Sequence, residues 1–148
     1  MMKSFEDLEC WKLAAALRRK FSALVKDFPQ HEKFRLTDQI VRASRSVTAN
    51  IAEGYGRFHY QEYVQYCRQS RGSLYELVDH LMVAFEEKYI SEDQLKEFKT
   101  EIQHCLIVLN GFINYLSKAK QENNKVNEPD SEYAISNAKT ESPLTINH

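Results

Sequence analysis

Residues Leu36 to Arg57, LTDQIVRASRSVTANIAEGYGR, are the stretch that decides the fold of this chain. At about 100° of rotation per residue, its apolar side chains fall within an arc of about 80° and form one narrow seam along a helix. That seam comprises Leu36, Ile40, Ala43, Val47 and Ile51. A polar stripe follows one edge of the seam and comprises Gln39, Ser46, Asn50, Glu53 and Arg57. Because a half-buried polar group is unfavourable without a hydrogen-bond partner, the stripe predicts polar contacts between helices.

Capping residues and Pro29 predict where this helix ends and where the other helices begin and end. The Gly54-Tyr55-Gly56 sequence predicts that the helix ends near Gly54, with glycine supplying the C-terminal cap. Ser4–Asp7 resembles a capping box that opens helix one, which ends before Pro29. Helix three is predicted over about His59–Tyr89, and Ser91–Gln94 is a second capping box that opens helix four.

The helical period continues to residue 121 and is then lost in a segment dominated by Asn, Ser, Lys, Glu and Pro. Residues 1–121 carry 18 Lys and Arg against 16 Asp and Glu, a net charge of +2, whereas residues 122–148 carry 2 against 5, a net charge of −3. The sequence therefore predicts an all-α, up-down-up-down four-helix bundle over residues 1–121. It predicts a disordered acidic tail over residues 122–148.

Cellular location is indicated by segments that the sequence lacks and by its cysteines. No apolar run approaches the roughly 18 residues of a membrane span, and the N-terminus has no signal-peptide stretch. Cys10, Cys67 and Cys105 fall on apolar helix faces, which favours reduced thiols in the core. We therefore expect a cytoplasmic protein without a membrane segment.

Helix three carries an apolar seam and, on its opposite side, a mid-helix glycine. The seam comprises Tyr63, Cys67, Ser70, Leu74, Leu77, Val78, Leu81 and Phe85. Gly72 lies on that opposite side, and Tyr75 and Val83 lie towards it. A glycine inside a helix costs about 1 kcal/mol relative to alanine. Either another backbone packs closely at Gly72, which would make Gly72 and Tyr75 an oligomer contact, or the glycine is tolerated at the surface.

No pattern of catalytic or metal-binding residues stands out. Glu53 has no visible proton-transfer partner, so a structural ion pair with Arg57 is the expected role. Glu101 and His104 form a single Glu-x-x-His pair that points away from the helix-four seam, whereas a di-metal bundle site needs two such pairs. No glycine-rich phosphate loop is present. We expect no enzyme, no cofactor and no metal.

Basic residues concentrate between Lys33 and Arg71, where seven Lys and Arg stand against three Asp and Glu. Arginine suits phosphate because its planar guanidinium donates two parallel hydrogen bonds. The candidate phosphate ligands are Arg42, Arg45, Arg57, Arg68 and Arg71, with Tyr55, Phe58 and Tyr60 interleaved as residues that could stack on bases. From the residues alone, ion pairs with neighbouring helices or protomers, or a simple solvated face, are the simpler explanation.

Several short segments together resemble the 23S rRNA intervening-sequence proteins, a bacterial family also described as four-helix bundle proteins. They are Asp7-Leu8 with Trp11, Phe28-Pro29 with Glu32, Leu36-Thr37-Asp38-Gln39, Arg42-Ala43-Ser44, Ser46-Val47, Asn50-Ile51-Ala52-Glu53-Gly54 with Arg57, Glu62-Tyr63, and Gly72-Ser73-Leu74 with Glu76-Leu77. The resemblance covers roughly residues 4–118. It departs at Tyr63, where the family more often has phenylalanine, and at His59, where a serine cap is expected.

This resemblance implies a four-helix protomer that assembles into a ring-like homopentamer. Family members are encoded within insertions in large-subunit ribosomal RNA genes or stand alone in bacterial genomes, and no enzymatic activity is established for them. They are similar to the accessory protein of diversity-generating retroelements, which binds nucleic acid and a reverse transcriptase.

Two functions are compatible with the sequence and the resemblance. In the first, the chain is a non-enzymatic oligomer that binds RNA or DNA through arginines contributed by several protomers. In the second, it is a structural or adaptor oligomer that contacts a protein partner, and its arginines are occupied by ion pairs between protomers.

Overall fold

A computed structural model of the protein describes residues 4–122. Within these residues the chain forms four α-helices and no strand, namely α1 (Glu9–Leu24), α2 (Leu36–Tyr55), α3 (Tyr60–Glu86) and α4 (Glu92–Glu122). Short 3-10 turns at Phe5–Asp7, Val25–Asp27 and Gln30–Glu32 flank α1 and lead into α2. The predicted all-α class is therefore confirmed, and α4 includes Glu122, the first residue of the predicted tail. The remainder of that tail, residues 123–148, lies outside the described residues.

The four helices pack in the cyclic order in which they follow one another along the chain. The most extensive interface lies between α2 and α3, followed by α3 with α4 and α1 with α2, and α1 meets α4 to close the bundle. Short connections make consecutive helices antiparallel neighbours, so the predicted up-down-up-down bundle is confirmed. Its centre contains aromatic rings in edge-to-face contact, with Tyr63 and Phe112 at a centroid distance of 5.2 Å.

The start of α1 differs from the prediction. Ser4 Oγ accepts a hydrogen bond from the Glu6 amide at 2.9 Å, but this bond caps the separate 3-10 turn Phe5–Asp7. Leu8 then adopts an extended conformation (φ −69°, ψ 130°) while burying its side chain completely, so the backbone must turn before α1 begins. The prediction that Ser4 opens helix one was wrong because burial of Leu8 separates the turn from the helix.

The predicted end of α2 near Gly54 is confirmed, since the helix ends at Tyr55 and a glycine follows as its cap, but neither glycine uses a left-handed conformation. Gly56 caps the helix with φ −75°, and the left-handed residue after it is Phe58, with φ 60°. Gly54 is buried inside the helix, where an added Cβ would lie 2.8 Å from Tyr63 Cδ1 and 3.0 Å from Tyr66 Cβ. Gly54 therefore has a packing role, and the glycine that caps the helix is Gly56. The missing side chain of Gly54 allows α3 to approach α2 closely.

The seam of α3 is buried as predicted except at its last member. Ala84 is fully buried, whereas Phe85 is 36% exposed. One residue corresponds to about 100° of rotation, so the inward position of Ala84 turns Phe85 away from the core.

The capping box that opens α4 is confirmed. The Gln94 amide donates to Ser91 Oγ at 3.1 Å, and the Ser91 amide donates to Gln94 Oε1 at 2.9 Å. We expect Ser91→Ala to lower the free energy of unfolding by about 1 kcal/mol, because it leaves an amide of the first turn without its side-chain acceptor. Urea denaturation of the variant beside wild type measures this difference. An unchanged midpoint and slope would show that water replaces the cap without loss.

Candidate functional site

The five candidate arginines do not form one cluster, and three of them have polar partners on the same or a neighbouring helix. Arg42 lies on α2 with an 80% exposed side chain, and its Nε is 3.0 Å from Asp38 Oδ2. Arg71 lies on α3 and donates from Nη1 to Asn110 Oδ1 of α4 at 2.9 Å. The Arg42–Asp38 ion pair is exposed and contributes little to stability. The Arg42 guanidinium can therefore still bind an anion.

Arg57 ties the end of α2 to α3. Its Nη2 donates to Glu53 Oε1 at 2.8 Å and to the Tyr66 hydroxyl at 2.9 Å, and its guanidinium lies 5.3 Å from the centre of the Tyr66 ring. The hydrogen bond that Arg57 donates to Glu53 and the charge of Tyr66 raise the pKa of Arg57. The predicted Glu53–Arg57 ion pair is confirmed, and together with Tyr66 it engages Arg57 at the surface of the protomer.

Arg45 and Arg68 are the two candidates whose guanidinium groups form neither an ion pair nor a hydrogen bond within residues 4–122. Both side chains are exposed, and neither forms an ion pair with the described part of the chain. Arg68 projects from α3, whereas Arg45 projects from α2 towards α1. Arg45 lies beside basic residues of another helix, Arg18 and Arg19.

A groove between α1 and α2 collects these basic residues. It encloses about 270 Å³, and we call it the α1–α2 groove; its lining residues are Arg18, Arg19, Ser22, Ala23, Lys26, Val41, Ser44 and Arg45. Four of these residues are cationic and none is acidic. Within residues 4–122, Arg19, Lys26 and Arg45 form no ion pair. Charges of one sign in a recess between low-dielectric walls focus the field and attract a polyanion.

The sequence positions these cations through helical spacing on two antiparallel helices. Arg18 and Arg19 lie on α1, and Lys26 lies in the 3-10 turn that follows it. Lys26 comes eight residues after Arg18 and seven after Arg19, about two helical turns further on, so the three side chains share one side of this segment. Arg18 is held in place because its Nη1 donates to Thr48 Oγ1 of α2 at 2.9 Å. Thr48 is almost fully buried, so this bond fixes Arg18 at the junction of the two helices.

An apolar recess continues from the end of the groove that lies near the N-terminus of α1. It encloses about 450 Å³ and shares Arg18 and Arg45 with the groove; we call it the aromatic shelf, and its lining residues are Phe5, Trp11, Arg18, Arg45, Thr48, Ala49 and Ala52. The Phe5 and Trp11 rings meet edge to face with centroids 5.5 Å apart. The Arg18 guanidinium carbon lies 5.9 Å from the centre of the Trp11 ring.

Sequence reasoning did not identify Arg18, Arg19, Lys26 or Trp11 as site residues. The available signal was the seven-residue interval between Arg19 and Lys26, which repeats a positive charge on the solvent side of helix one. Of the proposed base-stacking residues, Tyr60 is 2% exposed and belongs to the core, whereas Phe58 is 66% exposed. Tyr60 is therefore not available for stacking on a base.

The polar stripe of α2 connects this helix to α3 over part of its length. Ser46 Oγ accepts from Asn50 Nδ2 and from Ser73 Oγ, both at 2.9 Å. Nearby, Ser70 Oγ donates to the Val47 carbonyl oxygen at 2.8 Å. Gln39 is exposed at the other end of the helix and takes no part in these bonds. The stripe thus acts between the helices from Ser46 onward.

The outer face of α3 is open to solvent in the protomer. An added Cβ at Gly72 would meet no atom within 4 Å, and Tyr75 and Val83 are 36% and 37% exposed. This geometry leaves room for a second chain, and the oligomer contact at Gly72 and Tyr75 stays a prediction.

Cys10, Cys67 and Cys105 are buried free thiols from three different helices. Burial raises the pKa of Cys105 to about 12 and also raises the pKa values of Cys10 and Cys67. The thiols therefore stay protonated at neutral pH, which makes them poor nucleophiles and poor metal ligands.

Within residues 4–122, no group of three or more His, Cys, Asp or Glu side chains is arranged to hold a metal ion. In the same part of the chain, no helix is long and apolar enough to cross a membrane.

Comparison with known proteins places this arrangement in a family. A family model described as 23S rRNA-intervening sequence protein matches residues 6–111, which includes α1 to α3, most of α4 and every residue of the α1–α2 groove. No curated protein matches the sequence significantly. The family consists of small helical proteins that are not known as enzymes. The match spans well over half of the chain, and the protein therefore belongs to the 23S rRNA-intervening sequence protein family.

Proposed function

We propose that this protein is a non-enzymatic, cytoplasmic oligomer that binds RNA or DNA along the α1–α2 groove. One observation carries the proposal. The groove is lined by four cationic side chains and by no acidic one, and none of the four forms an ion pair within residues 4–122. Cations left without acidic partners remain available for phosphate, and they gain affinity by releasing condensed counterions from the nucleic acid.

An oligomer would strengthen this binding by repetition. The net charge of the whole chain is only −1, so the electrostatic attraction of a single protomer is local to the groove. In a ring such as the homopentamer implied by the family resemblance, grooves from several protomers would contact one nucleic acid at once. Once one groove has bound the nucleic acid, the grooves of the other protomers meet the same molecule at a high effective concentration. The total affinity would then exceed that of a single groove. The open face at Gly72 and Tyr75 supplies a surface for such assembly.

The salt dependence of binding tests the proposal. We expect a labelled oligonucleotide to bind with an affinity that falls linearly on a log–log plot against salt, with a slope of about −3 for four phosphate contacts. Arg45→Ala is expected to reduce the magnitude of that slope by about one and to weaken binding of all sequences alike. Fluorescence anisotropy between 50 and 300 mM KCl measures both quantities on ~20-nucleotide probes. Absence of binding at the lowest salt, or a slope near zero, would contradict the proposal.

The second candidate function is a structural or adaptor oligomer that contacts a protein partner. It is favoured by the partly exposed apolar side chains of Tyr75 and Val83, which lie on the same side of α3 as Gly72. Under this alternative, charge removal at Arg42 and Arg45 would break the assembly, and no nucleic acid would bind to wild type. Native mass spectrometry of Arg42→Ala/Arg45→Ala separates the two functions, since nucleic-acid binding predicts an intact oligomer.

A further inference from the structure

The α1–α2 groove and the aromatic shelf form one continuous surface with two chemical characters. The groove presents cations, and the shelf presents the Phe5 and Trp11 rings above the small side chains of Ala49 and Ala52. Arg18 and Arg45 belong to both recesses, so a cation stands at the boundary between them. A ligand that fits both must place an anionic group immediately beside a flat apolar one.

A nucleotide has this combination of groups, because its phosphate and its base are joined through one sugar. Arg18 is fixed at the boundary by its bond to Thr48, with the Trp11 ring 5.9 Å from its guanidinium carbon. Phosphate on Arg18 or Arg45 would therefore direct the attached base onto the shelf. The methyl side chains of Ala49 and Ala52 leave the space for it.

Resting on the proposed function, we propose that this combined surface binds single-stranded rather than duplex nucleic acid, with phosphates on Arg18, Arg19, Lys26 and Arg45 and a base against Trp11. In a duplex the faces of the bases are covered by stacking, so no base is available to the shelf. Unpaired strands expose those faces, and proteins bind them by combining a basic groove with aromatic side chains. The recess is also concave, whereas proteins that read a duplex insert a protruding helix or ribbon into its groove.

The alternative ligand of a basic groove, an acidic peptide, would use the cations and leave the shelf without a role. Carboxylates match arginine as phosphates do, but an acidic peptide carries no flat ring next to each charge. Polyglutamate therefore serves as the probe that distinguishes simple charge attraction from nucleotide binding.

Trp11 reports on the site directly, because it is the only tryptophan in the chain. The full-length protein is titrated at low salt with oligo(U), oligo(dT), a self-complementary hairpin without a long loop, and polyglutamate. We expect oligo(U) or oligo(dT) to quench Trp11 fluorescence with the same midpoint that anisotropy gives for binding. We expect Trp11→Leu to weaken single-strand binding about tenfold or more while changing hairpin binding little. Phe34→Leu is the matched control, because Phe34 is an 84% exposed aromatic residue in the turn before α2, whereas the shelf lies near the last turns of that helix.

The outcomes separate this inference from the function on which it rests. Salt-dependent binding that is equal for hairpin and single strand, without a change in Trp11 fluorescence, would overturn the inference and leave nucleic-acid binding intact. Polyglutamate binding as tight as that of oligo(U) would overturn the inference as well, since the shelf would contribute nothing. Failure of every nucleic acid to bind would overturn both. Quenching by only one of oligo(U) and oligo(dT) supports the inference and identifies the strand as RNA or DNA. The wild-type quenching decides the question even if Trp11→Leu does not fold.

Discussion

Gly54→Ala is expected to lower the free energy of unfolding by about 1–2 kcal/mol, although alanine favours a helix over glycine by about 1 kcal/mol. The new Cβ would lie 2.8 Å from Tyr63 Cδ1, 3.0 Å from Tyr66 Cβ and 3.3 Å from the Tyr63 carbonyl oxygen. Tyr63 cannot move easily, because it is fully buried and its ring contacts Phe112. Relief of the overlap therefore requires α2 and α3 to separate, and they share the most extensive interface of the bundle.

Gly72→Ala is the matched control, because it makes the same substitution in a helix where a Cβ has open space. We expect it to raise the free energy of unfolding by up to about 1 kcal/mol. Chemical denaturation of both variants below the concentration at which the protein assembles would show the opposite signs. A stabilising Gly54→Ala would contradict the close approach of α2 and α3. Weakened assembly of Gly72→Ala at higher concentration would indicate that another protomer packs at this glycine.

Reversal of two charges in the α1–α2 groove is expected to have the largest effect on binding. Arg19→Glu/Arg45→Glu removes one cation from each wall of the groove and places like charge against the phosphates. We expect a loss of affinity of about 100-fold or more at 50 mM salt, because like charges at an interface are strongly unfavourable. Neither side chain has an ion-pair partner within residues 4–122, so the fold is expected to be retained. Anisotropy measures the affinity, and circular dichroism checks the helix content.

Arg68→Glu is the control for this charge reversal. Arg68 is likewise exposed and unpaired in the described part of the chain, but it lies on α3 and does not line the groove. We expect its reversal to change affinity by no more than about threefold, which is the size of a general charge effect. An equal loss for Arg68→Glu and the double variant would place the binding surface across several faces of the protomer.

The apolar period was sufficient to predict the bundle, because the side chains of each seam are local in sequence and each helix is long. The pair Glu53 and Arg57 could be predicted for the same reason, since the two residues are four positions apart. The packing role of Gly54 could not be predicted, because a glycine near a helix end is equally compatible with a cap and with close packing by a distant segment. Only the crossing of α2 over α3 distinguishes these two roles.

The α1–α2 groove could not be predicted from the sequence either, because its lining residues are distant from one another along the chain. Arg18 and Arg45 are 27 positions apart, and nothing in their local sequences indicates that they share a surface. Their proximity depends on which faces of α1 and α2 pack together and which remain open. Counting charges along the chain instead drew attention to Arg57 and Arg71, which the structure pairs with Glu53 and Asn110.

Photocrosslinking of a bound oligonucleotide tests most directly the claim that nucleic acid occupies the α1–α2 groove. Full-length protein is mixed at low salt with a single strand containing 4-thiouridine, irradiated and digested, and the modified peptides are identified by mass spectrometry. We predict crosslinks on the segments that carry Phe5, Trp11 and Arg18 and on the segment of α2 around Arg45. Their yield should fall in Arg19→Glu/Arg45→Glu. Crosslinks confined to α3 or α4, with none on α1, would contradict the account.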